Sequence, residues 1–233
     1  MQQTEYLDNL DESQRRAVEY IDGPSLVIAG AGSGKTRVLT TKIAYLTACG
    51  LKPWNILALT FTNKAAREMR GRIAAIVGEN TAKYLVMGTF HSVFARILRK
   101  EAHLLGYTSK FTIYDRTDST SLVKTIVKGM GLDPKVYKPG VVLSKISQAK
   151  NNLVMPGDYF NDPGLKQRDS SDNVPETGHI YMKYQQRLKA SDAMDFDDLL
   201  VKMYVLLTDN EDVRRKYLEQ FKFVLVDEYQ DTN

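Results

Sequence analysis

Cysteine is nearly absent: Cys49 stands alone among 233 residues, which excludes an internal disulfide and any metal site built from several cysteines. No apolar run approaches the roughly 20 residues that a membrane span requires. The N-terminus, Met1-Gln2-Gln3-Thr4-Glu5, has neither a basic flank nor an apolar stretch, so no signal peptide is visible. Internal repeats and low-complexity tracts are also missing. These absences lead us to expect a soluble, cytoplasmic protein with no membrane partner.

What is present is ordinary in bulk. Apolar residues make up 43% of the chain and charged residues 26%, enough for a real core under a solvated surface. The length fits one large domain or two small ones. A net charge of +4 and a pI near 8.9 are mildly basic, compatible with nucleic acid but weak as evidence alone.

Periodicity and breakers organise the first hundred residues. Asp11 can cap a helix reaching about Ile21, which Asp22-Gly23-Pro24 ends. Ser25 to Ala29 reads as a short buried strand. A glycine loop follows, then a helix over 34–48 with Leu39, Ile43 and Leu46 on one face. A strand over 55–60, a helix from Thr62 to about Val77, a strand over 84–87 and a helix to about Leu105 complete the series. This β-loop-α-β-α-β-α order predicts an α/β fold with a mostly parallel sheet.

Beyond Gly106 the texture changes. A short apolar piece (111–114) leads to helical patterns near 117–129, 139–150 and 176–190. The polar stretch 151–175 shows no periodicity and predicts a long mobile loop. Asp195 to Leu200 opens another helix, with Phe196, Leu199, Leu200, Met203 and Leu207 as its apolar face. Phe221 to Val226 closes the chain as a strand. We therefore expect a discontinuous domain, 1–105 with 191–233, interrupted by an inserted helical subdomain over 106–190.

Two segments carry chemistry. The first is Ala29-Gly30-Ala31-Gly32-Ser33-Gly34-Lys35-Thr36. A phosphate cradle needs backbone N–H groups converging on oxygens without side-chain bulk, and the glycines allow that. Lys35 can neutralise the β- and γ-phosphates, and Thr36 offers a hydroxyl to magnesium. The second is Val226-Asp227-Glu228-Tyr229-Gln230-Asp231-Thr232-Asn233, directly after an apolar run. Consecutive residues at a strand end diverge. Asp227 suits a magnesium partner, Glu228 a base that activates water, and Gln230 a sensor of the γ-phosphate. An isolated Asp-Glu pair would read as an acidic surface terminus; beside a glycine loop it reads as a triphosphate site. The acids must then reach Thr36, which requires the last strand to join the first sheet.

These residues also carry a resemblance. Ala29 to Thr36, Thr60 to Ala66, Gly88-Thr89-Phe90-His91-Ser92, Asp195 to Leu200 and Val226 to Asn233 occur in this order. Together they closely resemble the UvrD/PcrA/Rep family of superfamily 1 DNA helicases, over essentially the whole chain. The resemblance implies a RecA-like P-loop domain using ATP and Mg2+. It implies that Gln14 reads the adenine edge and that Arg37 packs against the adenine face. Phe61, Thr62, Asn63 and Lys64 resemble a first single-strand contact motif, and Thr89, Phe90 and His91 a second. The partners implied are single-stranded DNA, single-strand/duplex junctions, and a second motor domain whose sequence lies past Asn233. On that reading the chain holds half of a composite site, lacking the γ-phosphate arginines, an effect of about 10³–10⁵ in phosphoryl-transfer rate. Arg67, Arg70 and Arg72 read as a solvated helix face. Two rival readings stay open: an ATP-controlled binding module that does not translocate, and a small-molecule kinase with a phosphate loop.

Overall fold

The computed structural model describes residues 6–30 and 32–232. The chain begins with helices α1 (Glu12–Glu19) and α2 (Lys35–Ala48), strand β1 (Ile56–Thr60) and helix α3 (Asn63–Val77). A single turn α4 (Glu79–Ala82), strand β2 (Val86–Thr89) and helix α5 (Phe90–Glu101) follow. Next come β3 (Thr112–Tyr114), α6 (Arg116–Gly129), α7 (Pro139–Asn151), α8 (Pro156–Asn161), α9 (Pro163–Ser171) and α10 (Thr177–Ala190). Strand β4 (Ala193–Asp195), helices α11 (Phe196–Asp209) and α12 (Glu211–Gln220), and strand β5 (Phe223–Val226) end it.

The chain divides into two compact units, 1–93 with 212–233, and 94–211. These borders differ from the expected 105/106 and 190/191. Residues 191–211 group with the helical unit because β4 pairs in parallel with β3 and because α11 shares buried ion pairs with α7.

The first unit is built on a parallel sheet in the order β2-β1-β5. Its register aligns Thr60 with Thr89 on one side and Leu59 with Val226 on the other. The last strand thus joins the sheet of the early ones. Strand β1 is buried along its whole length, as a central parallel strand should be. Ile43 and Leu46 of α2 and Met69 and Ile73 of α3 pack with Ile56, Ala58 and Met87. Helix α1 packs on α2 through Leu7, Val18 and Val38. The buried Lys42 ammonium fastens this contact by donating to the Ala17 carbonyl at 2.9 Å and to that of Tyr20. These carbonyls form the electronegative end of α1, and burial pushes the Lys42 pKa down.

Residues 25–29 do not form the expected strand. Leu26, Val27 and Ile28 are 65%, 44% and 89% exposed. An apolar triplet becomes a strand only when a neighbouring backbone completes its ladder. Strand β5 has β1 on one side and no strand on the other among the described residues.

In the second unit the stretch 151–175 is not a long loop but carries α8 and α9. The prolines that look like breakers stand in the first turns of these helices, where the missing N–H costs nothing. Asp162 caps α9 by accepting from Leu165 N at 2.9 Å. The Tyr159 hydroxyl donates to Asp169 at 2.8 Å, and Lys145 bridges Asp169 and Asp172 at 2.9 and 2.6 Å. On α11 the buried stripe is Leu199, Met203 and Leu206, while Phe196 is exposed. Asp195 and Asp198 form a capping box at the start of α11. Both also hold the buried Lys150 ammonium, at 2.7 and 2.9 Å. Tyr184 donates to Asp195 and Gln185 to Asp198, each at 2.8 Å. Burial lowers the Lys150 pKa, and the two carboxylates outweigh it, holding the ammonium above its ordinary value.

Removing one partner of a buried pair strands the other charge. Lys150→Ala should therefore lower stability by about 3–5 kcal/mol, read from urea unfolding followed by circular dichroism. A second test concerns Gly34, which opens α2 with φ +85°. A Cβ there would stand 2.9 Å from Gln14 Nε2. Gly34→Ala should cost at least about 1–2 kcal/mol for the left-handed backbone alone. Gly30→Ala, which meets open space, should leave the melting temperature unchanged or slightly raised.

Candidate functional site

In a parallel sheet the carboxyl ends of the strands share one edge, where open α/β folds place their ligands. Here that edge reads Thr89, Thr60, Asp227 across three adjacent strands. The Asp227 N–H donates to the Leu59 carbonyl at 2.9 Å, extending the ladder one step past β5. The sequence-identified segments 61–64, 89–91 and 227–230 therefore all leave the sheet at this edge.

The glycine loop lies between the exposed 25–29 segment and α2. Gly32 and Gly34 both have positive φ, +77° and +85°, conformations that favour glycine. Ala31 lies outside the described residues. The Ser33 hydroxyl donates to the Gly30 carbonyl at 2.7 Å and stiffens the turn. The Lys35 ammonium curls back over the loop, donating to the carbonyls of Ala29 and Gly30 at 3.1 and 3.0 Å. Lys35 therefore sits at the hollow of the loop and can exchange those carbonyls for phosphate oxygens. Thr36 is half-buried on the first turn of α2.

Gln14 joins α1 to this loop. Its Oε1 accepts from Asp11 N at 3.2 Å within a capping box, and its Nε2 donates to the Ser33 carbonyl at 2.9 Å. A carboxamide has two donors and two acceptor sites, so one of each stays available. Arg37 is exposed and reaches back to the Asn9 carbonyl at 3.5 Å.

Asp227 is buried and Glu228 exposed. Burial pushes the Asp227 carboxyl up and the neighbouring Glu228 charge adds to this; the Glu228 N–H and the Lys35 ammonium pull it down. The Lys35 ammonium is thus close enough to Asp227 for its charge to be felt there. Glu228 takes a left-handed backbone, φ +53°, which is uncommon outside glycine and asparagine. The chain turns there into a short 3-10 segment, Tyr229–Asp231. The Gln230 carboxamide donates to the Glu228 carboxylate. Among the described residues no group of three or more His, Cys, Asp or Glu could hold a metal. A magnesium site needs no such group, since the ion is commonly held by one or two carboxylates plus substrate phosphates.

The other segments form a second surface. The Phe61 and Phe90 rings lie 5.3 Å apart between centroids, tilted by 49°, so the two candidate contact motifs meet. Thr62 caps α3 by accepting from Ala65 N at 3.1 Å. Asn63 and Lys64 are exposed, Thr89 is buried and His91 is half-buried. Next to the ring pair is a cleft of about 290 Å³ lined by Asn63, Ala66, Arg67, Arg70, Gly88, Thr89 and Ser92. Gly88 is required there, because a Cβ would stand 2.5 Å from Ser92 Oγ. In the sequence Arg67 and Arg70 read as a solvated helix face and Ser92 has no role of its own, yet all three line this cleft. The signal for the arginines was their spacing: 63, 66, 67 and 70 fall on one face of a helix.

Asp195 to Leu200 belongs to the unit 94–211 and to its buried Lys150 cluster. No helix among the described residues is long and apolar enough to cross a membrane.

Comparison with known proteins gives the family. The chain is 43% identical to the ATP-dependent DNA helicase PcrA of Leuconostoc citreum, over 97% of this chain and 30% of that protein. It is 46% identical to the ATP-dependent DNA helicase UvrD1 of Mycobacterium bovis, over 97% of this chain and 29% of the relative. PcrA of Staphylococcus aureus is 42% identical over 97% of this chain and 30% of its own length. The chain thus spans about 30% of the length of such curated relatives. The family model for the UvrD/REP helicase N-terminal domain matches residues 10–233, and the chain belongs to that family.

Proposed function

We propose that this chain is the ATP- and single-strand-binding part of a DNA helicase that moves 3′ to 5′ along DNA in the cytoplasm. The observation that carries the reading is the shared sheet edge: Asp227 directly follows β5, while Phe61 and Phe90, whose rings meet, directly follow β1 and β2 of the same sheet. A change at bound phosphate can then move the strand-binding surface through a short, stiff path.

On this reading the loop N–H groups and Lys35 cradle the triphosphate, and Gln14 reads the adenine edge with Arg37 against its face. Thr36 and Asp227 would hold a magnesium ion, which would screen the phosphate charge. Glu228 takes a proton from the attacking water, and its exposure leaves it free to reach one. Gln230, already bonded to Glu228, senses the γ-phosphate. Phe61 and Phe90 stack bases, while Thr62, Asn63, Lys64, Thr89 and His91 face the strand. The proposed motor domain is discontinuous, and the segment 94–211 is its insertion. A second motor domain supplies the arginines for the γ-phosphate. The relatives' greater length supports this.

Two results test the reading. In the protein that contains both motor domains, Lys35→Ala should lower DNA-stimulated ATP hydrolysis by about 10²-fold or more, with circular dichroism unchanged. Hydrolysis that ignores single-stranded DNA would favour the non-translocating binding module instead. Residues 1–233 alone should bind ATP·Mg2+ and single strands weakly and separate almost no duplex. Robust unwinding by this chain would overturn the half-site reading.

A further inference from the structure

We propose that Arg67 and Arg70 form a two-point clamp for consecutive phosphates of the bound nucleic-acid strand. The inference rests on the single-strand reading above and extends it to residues that no motif assigns. Both arginines project from α3 into the cleft beside Thr89. The lining of that cleft contains no acid, and neither guanidinium has an ion pair or a hydrogen-bond partner among the described residues. On a helix face a carboxylate at i±3 or i±4 can pair with an arginine; neither arginine has one at those spacings.

Their spacing fits a chain of anions better than one anion. Residues three apart on a helix carry Cβ atoms roughly 5–6 Å apart, so two guanidiniums stand side by side along the cleft. Each is planar and can grip a phosphate through two N–H groups. The cleft also adjoins the aromatic pair, since Asn63 and Thr89 line it and stand close in sequence to Phe61 and Phe90. Bases on the rings and phosphates on the arginines is the division of labour that single-strand binders use. A lone small anion would have no use for the adjoining rings.

Arg72 supplies an internal control. It is exposed on the same helix, but two residues past Arg70 it faces away by roughly 200° and does not line the cleft. If the trio were merely a basic helix face, all three would act alike.

The test is fluorescence anisotropy of a labelled oligo(dT) with the 233-residue chain across a sodium chloride series. Binding through phosphates makes log K fall linearly with log salt, by about 0.7 per phosphate for single strands. Arg67→Ala and Arg70→Ala should each flatten that slope by about 0.7, and the double variant by about 1.4. Arg67→Lys with Arg70→Lys should restore the slope, and Arg72→Ala should leave it at the wild-type value. Circular dichroism checks that each variant is folded. A double variant with the wild-type slope, or an equal loss from Arg72→Ala, would overturn the clamp while leaving the single-strand reading intact. No oligonucleotide binding by the wild-type chain would remove both.

Discussion

Backbone pairing between β1 and β5 is the constraint on which the rest depends. These strands are separated by most of the sequence, yet Leu59 and Val226 sit in register and Asp227 donates to the Leu59 carbonyl. A one-residue slip would turn every side chain of β5 to the other face. It would also take Asp227 out of its bond to the Leu59 carbonyl. The proposed triphosphate site is therefore not a local motif. It is assembled when a distant strand finds its place, and the proposed strand-binding surface is positioned by the same ladder through β2.

The helical unit 94–211 has its own organising interaction. Lys150 lies between Asp195 and Asp198, and these two acids also start α11. One set of charges thus caps a helix, joins α7 to α11 and ends β4. Such a cluster ties together segments far apart in sequence in one arrangement, since a wrong pairing leaves a buried charge alone. The apolar packing around Tyr181 and Tyr184 supplies bulk burial, and the ion cluster supplies register.

Much of this was legible in the sequence. The glycine loop, the capped start of α3, the parallel order of the early strands and the return of the last strand all follow from local patterns. What was not legible depends on partners. Leu26-Val27-Ile28 has the composition of a buried strand, but composition does not show whether a neighbour will complete its hydrogen bonds. Pro156 and Pro163 look like loop residues because proline is both a breaker and a good first helical residue; only the Asp162 cap and the Tyr159–Asp169 bond decide between them. Asp195 to Leu200 reads as an amphipathic helix start, and its real partner, Lys150, is invisible without the fold. Arg67 and Arg70 looked like solvated surface because no pattern announces a cleft formed by a neighbouring strand end.

The central claim is that Lys35 and the Asp227–Glu228 pair surround one site. The most direct measurement is a carbon-13 NMR titration of the Asp227 carboxyl in the wild-type chain and in Lys35→Met. The account predicts a midpoint above the ordinary aspartate value in the wild type, rising further when the neighbouring ammonium is removed. An Asp227 midpoint that does not respond to the loss of Lys35 would mean that loop and strand end do not meet, and would contradict the account.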